Sequence, residues 1–377
     1  MLSANTICYL CISTGALWEK DFYHAEPRPI NELWRYIIAK RDDNADRRGA
    51  ELKDWLAQFD GLADTSLQPA SGDASFRRYF RIGQGPDSYI AMDAQSPREE
   101  CRSFVKIAGY LESMGLNSPR ILGADFDHGF ILMTDLGSTQ YLDELQKKPE
   151  CADDLYGDAI DALLLLQENG VAYQQHLPDY DYDFVAFELS IFRDWLCGRH
   201  LGIDFSDREE ADWKNCCELL IDNALLQKQV FMHRDFHSRN LMLTGDHNPG
   251  ILDFQDAVEG PLTYDIVSLL KDCYIKWPGE EIEKWALQFH GRLAPATRDE
   301  LSAERFLQYF ELMGVQRHLK VAGIFARLFH RDGKAGYLDD IPRTLGYVSE
   351  TAAKNSDLGF LSGLIDDRIL PALQAPE

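Results

Sequence analysis

The stretch Phe231-Met-His233-Arg-Asp235-Phe-His237-Ser-Arg-Asn240, followed by Gly250-Ile-Leu-Asp253-Phe-Gln-Asp256, decides how this chain reads. Two apolar, β-like segments flank a polar loop, and the second ends on an acid. The pattern therefore brings His233, Asp235, Asn240 and Asp253 to one sheet edge. Such a set suits phosphoryl transfer. One carboxylate accepts or orients the proton of an attacking hydroxyl, while a second carboxylate and an amide oxygen hold Mg²⁺ on a triphosphate. Two other readings stay open. His233-Arg-Asp235 also fits the start of a two-histidine, one-carboxylate iron site with His237 nearby, although that leaves Asn240 and Asp253 without a role. Turn or cap formation accounts for any single one of these residues. A P-loop is excluded, because Gly333-Lys334 is followed by Ala335 and has no upstream glycine at the required spacing.

Working outward, 377 residues are enough for two domains of ordinary size. With 45% hydrophobic and 27% charged residues the chain can bury large cores, so it is globular rather than disordered. Lys plus Arg number 38 against 62 for Asp plus Glu, a formal charge of −24, which excludes a sequence-blind electrostatic hold on nucleic acid or anionic lipid. No run of about 18 apolar residues occurs, so no membrane span is expected. Eight cysteines in a chain of this length do not suggest a disulfide framework. Cys8-x-x-Cys11 lacks a second Cys or His pair at zinc spacing. A reducing cytoplasm is the expected setting, and no obligate protein partner is evident. Residues 141–190 carry twelve acids against Lys147 and Lys148, read first as a solvated helical face and otherwise as a surface for a cationic partner.

Residues 1–47 read as an extension outside the core. Leu52, Trp55, Leu56 and Phe59 then form a helical stripe. Strands are expected over 76–82 and 88–94, joined by Gly83-Gln-Gly85-Pro-Asp87; this fragment joins two strands and opens no helix, so it is no dinucleotide fingerprint. A helix carries Phe104, Ile107, Ala108, Leu111 and Met114, and two more strands follow over 120–124 and 130–134. After the turn at 134–137 helical periodicity dominates, apart from short β runs at 230–232, 241–244 and 250–254. The fold class is α+β with two unequal lobes, 48–134 and 135–377, and a ligand is expected in the cleft between them.

The loop 233–240, Asp253 and the following Gly260-Pro261-Leu-Thr-Tyr-Asp265 resemble the aminoglycoside phosphotransferase and choline kinase branch of the protein-kinase-like fold. More narrowly, Asp73-Ala-Ser75-Phe-Arg77-Arg78-Tyr-Phe-Arg81, Met92-Asp93-Ala94, Leu132–Gly137, Asp253–Ala257 and Gln316–Val321 are similar to the bacterial kinases of N-acetylmuramate and N-acetylglucosamine in cell-wall recycling. The similarity runs from about Leu52 to about Ser349. It implies an ATP- and Mg²⁺-dependent kinase of an amino sugar's anomeric hydroxyl. It further implies Asp235 as catalytic base, Asn240 and Asp253 as metal ligands, the backbone at Thr134 and Leu136 as the adenine hinge, and the loop 73–78, with Asp73 and Ser75, over the phosphates.

Two departures from the family pattern stand out. The phosphate loop has only Gly72, and the strand 88–94 has no lysine for the α- and β-phosphates. Arg77 and Arg78 are the nearest cations, and strand alternation lets one of them face the nucleotide. Eleven residues between Asp253 and Asp265 are too few for a peptide-binding activation segment, so the acceptor is a small molecule. Asp265 is expected to cap the next helix and brace the loop. Candidate acceptor contacts are His237, Asp256, Glu188 and Arg317. The rival readings are a kinase of aminoglycosides or other amino alcohols, and a non-catalytic nucleotide-binding module.

Overall fold

The computed structural model describes residues 47–374, except 72–76, 84, 86–87 and 95–97. The expectations for the extension up to residue 46, for Asp73 and for Ser75 lie outside the described residues. The chain divides into two compact units, residues up to 97 with 123–132, and 98–122 with 133–377.

The first unit is built on helix α1 (residues 47–56) and a five-stranded sheet. The strands are β1 (Gln68–Ser71), β2 (Arg77–Ile82), β3 (Tyr89–Ala94), β4 (Ile121–Asp125) and β5 (Phe130–Thr134), in the order β1-β2-β3-β5-β4. The β2–β3 hairpin is in regular antiparallel register, with Arg78 opposite Asp93 and Ile82 opposite Tyr89. Leu52 and Leu56 of α1 bury against Ile82, Ala91, Phe130 and Leu132, with Trp55 and Phe59 packed beside them. The helical stripe legible in the sequence is this core face. Strand β1 was not expected, because Pro69 argues against a strand; it lies at the edge of the sheet, where proline is tolerated.

In the second unit helix α2 (Arg98–Ser113) packs Phe104 against Phe254, ring centroids 4.8 Å apart. Two small antiparallel pairs carry the polar loop: β6 (Gln229–Met232) with β9 (Val258–Pro261), and β7 (Leu241–Met242) with β8 (Gly250–Ile251). The β runs expected at 241–244 and 250–254 are thus only two residues long, and β9 went unread because Gly260 and Pro261 resemble a turn. The main helices are α3 (Ala152–Gly170), α4 (Tyr182–Ile191), α5 (Asp207–Leu225), α6 (Tyr264–Leu270) and α7 (Ala303–Asp332). A π-helical stretch, Phe192–His200, continues α4.

Helix α7 has 30 residues, about 45 Å at 1.5 Å per residue. It starts on Ser302, whose side chain accepts the Arg305 N–H, and ends on Gly333 at φ 69°, a conformation suited to glycine. Its central turns are buried. At Gly323 the helix meets the end of α4 backbone to backbone. A Cβ there would lie 2.6 Å from the carbonyl carbon and oxygen of Ile191 and from the nitrogen of Phe192.

The acidic tract falls partly on α3, where Asp153 pairs with Lys284 at 2.8 Å and Asp161 pairs with Arg292. These contacts favour the solvated-face reading. Among the described residues the six cysteines are free, and no helix is long and apolar enough to cross a membrane.

Candidate active site

The polar loop leaves β6 at Met232 and is held by buried carboxylates. Asp265, 1% exposed in the first turn of α6, accepts the N–H of His233 at 2.7 Å and of Arg234 at 2.9 Å. It braces the loop as expected, but it lies inside α6 and does not cap it. Burial pushes its carboxyl up to about 7, opposed by those two amide donors. Asp272, also buried, accepts the backbone N–H of Ser238 at 3.0 Å and that of Tyr274 at 2.9 Å. Sequence reasoning missed Asp272, since a lone acid after a hydrophobic run carries no distinguishing pattern.

Held this way, Arg234 sits at φ 76° and Asp253 at φ 60°, left-handed backbone that non-glycine residues seldom adopt. The turn brings three of the expected residues together. The Asn240 side-chain amide donates to the Asp235 carbonyl at 2.9 Å and approaches Asp253 Oδ2 at 3.5 Å. Gln255 donates to Asp253 Oδ1 at 2.8 Å. With its nitrogen on the Asp235 carbonyl, Asn240 keeps its amide oxygen as an acceptor.

Asn240 and Asp253 together offer hard oxygen donors. Among the described residues no group of three or more His, Cys, Asp or Glu forms a metal cage. One carboxylate and one amide fit Mg²⁺, which keeps several waters and is completed by substrate phosphates rather than by an all-protein cage. The two-histidine, one-carboxylate iron reading finds no support, since among the described residues no three His, Cys, Asp or Glu are grouped to hold a metal.

Asp235 is surrounded by cations. Burial opposes its ionisation, but the charges of Lys320, Arg234 and Arg317 hold its carboxyl below the ordinary value. It is therefore ionised at neutral pH and able to accept a proton. Lys320 is buried, ion-pairs with Glu188 at 3.0 Å, and donates to the Tyr264 hydroxyl at 2.9 Å. It belongs to the quoted motif 316–321, yet nothing in the sequence alone distinguished it from other helical lysines.

The remaining candidates separate. Glu188, 2% exposed, accepts from Arg234 at 2.7 Å, Tyr180 at 2.5 Å and Gln316 at 3.1 Å besides Lys320, so its oxygens are taken by protein groups. Arg317 is 3% exposed and donates to Cys273 Sγ at 3.5 Å. His237 is buried with Nδ1 lacking a hydrogen-bond partner, and Asp256 is exposed. The Thr134 N–H donates to the Arg120 carbonyl at 3.0 Å, so a hinge contact from Thr134 comes from its carbonyl. Leu136 follows in the same turn, its side chain 2.9 Å from where a Cβ on Gly250 would lie.

In the first unit Arg78 is bound by Asp93, as is Arg48 of α1; the Nε contacts are 2.9 and 2.8 Å. Asp93 is fully buried between them. Arg48 also donates to the His128 carbonyl at 2.7 Å. Arg77, one residue before Arg78, points to the other face of β2.

The loop also makes a pH prediction. Desolvation pulls the His233 imidazole down to about 4, with the Asp235 charge opposing. Between that value and about 6.5 the unfolded chain binds the proton and the folded chain does not, so the His233 contribution to stability falls as pH drops through this window, by up to about 3 kcal/mol, while Asp265, whose carboxyl is raised in the fold, contributes in the opposite direction. Chemical denaturation of the wild type and of a His233 variant at pH 7 and pH 4.5 isolates the His233 part. His233→Asn, which still accepts the amide but does not titrate, removes that part of the slope; an unchanged slope would assign it to other groups.

Comparison with known proteins bears on the family and the fold. The profile of the phosphotransferase enzyme family matches residues 66–303. A Pseudomonas aeruginosa protein named N-acetylmuramate/N-acetylglucosamine kinase is 48% identical over 301 residues, covering 79% of this chain and 87% of that protein. A Neisseria meningitidis protein of the same name is 38% identical over 323 residues, covering 85% and 95%. Among solved structures, a choline kinase from Streptococcus pneumoniae superposes with a TM-score of 0.57 at 11% identity, covering 81% of this chain and 99% of that one. An ADP-bound aminoglycoside phosphotransferase gives 0.55 at 16%, covering 80% and 98%. At such identities the superpositions speak for the two-lobed α+β, kinase-like fold alone.

Proposed function

The chain belongs to the phosphotransferase enzyme family, and from that premise we propose that it transfers the γ-phosphoryl group of ATP to the anomeric hydroxyl of N-acetylmuramate and N-acetylglucosamine, in a reducing cytoplasm. One observation carries the chemistry: Asp235, Asn240 and Asp253 converge on a loop that two buried carboxylates hold rigid. The choice of acceptor is supported by the high identity to relatives named for these sugars.

In this reading Asp235 accepts the proton of the attacking hydroxyl. An anomeric hydroxyl is more acidic than the other sugar hydroxyls, so a carboxylate held ionised by its neighbours suffices as base. Asn240 and Asp253 would hold Mg²⁺, which when bound offsets the charge of the triphosphate. Thr134 and Leu136 would hold the adenine through their backbone. Asp93 holds the Arg78 guanidinium, and Arg78 would supply the cation for which β3 has no lysine.

The product is a sugar 1-phosphate. Phosphorus–proton coupling in the NMR spectrum should place the phosphate on C1, the product should be acid-labile and non-reducing, and a sugar methylated at O1 should be inert. Phosphate on C6, or modification of cationic aminoglycosides only, would overturn the acceptor assignment and leave the kinase.

A further inference from the structure

A cavity of about 400 Å³ opens in the second unit between α4 and α7. Helix α4 contributes Phe184, Phe187, Glu188 and Ile191, spaced i, i+3, i+4 and i+7; α7 contributes Lys320, Ile324 and Arg327, spaced i, i+4 and i+7. Arg234, the residue before Asp235, completes the lining. The volume is that of a small-molecule site, about 300–1,000 Å³. Exposure grades from buried Glu188 and Lys320 to partly exposed Arg327 and exposed Phe187, which marks the inner end and the mouth. The Arg234 guanidinium lies over the Phe184 ring at 4.9 Å, so aromatic surface continues from the mouth to the catalytic loop.

Three cations line this cavity against one carboxylate. Arg234 and Lys320 both pair with Glu188. Arg327 does not share in this: its Nε is buried without a hydrogen-bond partner, and among the described residues no carboxylate ion-pairs with it. Burial and the neighbouring Arg331 disfavour its charge. A polycationic aminoglycoside would be repelled here, whereas an acceptor carrying one carboxylate would be matched. Arg317, one of the acceptor contacts expected from the sequence, does not line the cavity.

We infer that Arg327 is a specificity-determining residue, which binds the lactyl carboxylate of N-acetylmuramate at the mouth of the α4–α7 cavity. This rests on the acceptor reading above and separates its two sugars, because N-acetylglucosamine has no carboxylate. Charge-assisted hydrogen bonds of this type discriminate by about tenfold or more.

The test is steady-state kinetics of the full chain with each sugar at saturating ATP and Mg²⁺. Arg327→Met should raise KM for N-acetylmuramate at least about tenfold with kcat little changed, and leave KM for N-acetylglucosamine within about twofold. Arg327→Lys should restore part of the loss. Equal changes for both sugars, or no change for either, would overturn the inference while wild-type sugar 1-phosphate formation still upheld the acceptor reading. If the wild type phosphorylates neither sugar, the acceptor reading fails and the inference with it. Should Arg327→Met not fold, Arg327→Gln carries the same comparison.

Discussion

Asp235→Asn should lower turnover by about 10²–10⁴-fold, the usual worth of a positioned general base, while nucleotide affinity stays within a few-fold of wild type. The substitution keeps the shape of the side chain, and the bonds that fix the loop run through the backbone of residue 235. Its N–H meets His233 and its carbonyl meets Asn240. The geometry survives and only the proton acceptor is lost. Steady-state turnover with calorimetric titration of ADP separates the two effects. Near-wild-type turnover would remove Asp235 from this role, and a parallel loss of ADP binding would show that it holds the nucleotide.

The second large effect is structural. Helix propensity alone would make Gly323→Ala stabilising by about 1 kcal/mol. Packing reverses the sign, because the added methyl would meet three backbone atoms of Ile191 and Phe192 at 2.6 Å, well inside van der Waals contact. Backbone cannot rotate away as a flexible side chain does, so the helices must separate. Overpacking of this kind costs about 1–3 kcal/mol, with backbone contacts at the upper end. Because α4 and α7 also wall the cavity, sugar affinity should fall with stability. Urea denaturation read beside KM for either sugar measures both, and a more stable variant would show that the crossing is looser than its distances indicate.

The sequence was most informative where chemistry requires fixed spacing. Asp235, Asn240 and Asp253 were legible because two apolar segments flank a polar loop, and Asp265 because it follows Gly-Pro at the start of a helical run. Their convergence in the structure follows from that pattern. Other determinants were silent for physical reasons. Arg48 lies at the end of a polar run and looks solvated, yet it is tied to buried Asp93. Lys320 and Arg327 recur at helical spacing like any charged surface stripe. Only the packing of α7 on α4 turns that stripe toward a cavity, and no local pattern encodes the partner helix. Glu188 and Arg317 were singled out for their charge, and both are buried in polar contacts within the protein. The short strands were unclear because pairs of two residues are too brief for periodicity.

The left-handed backbone at Arg234 and Asp253 has a bearing on how variants of this enzyme would be judged. Each costs about 1 kcal/mol or more relative to glycine, which adopts that conformation freely. At Arg234 the fold tolerates the strain because Asp265 holds the amides of His233 and Arg234 together. Glycine at 253 would relax the chain and delete, in the same step, the carboxylate proposed to hold Mg²⁺. A collection of variants ranked by heat resistance alone would be ranked, in part, by how much of the active site each had discarded.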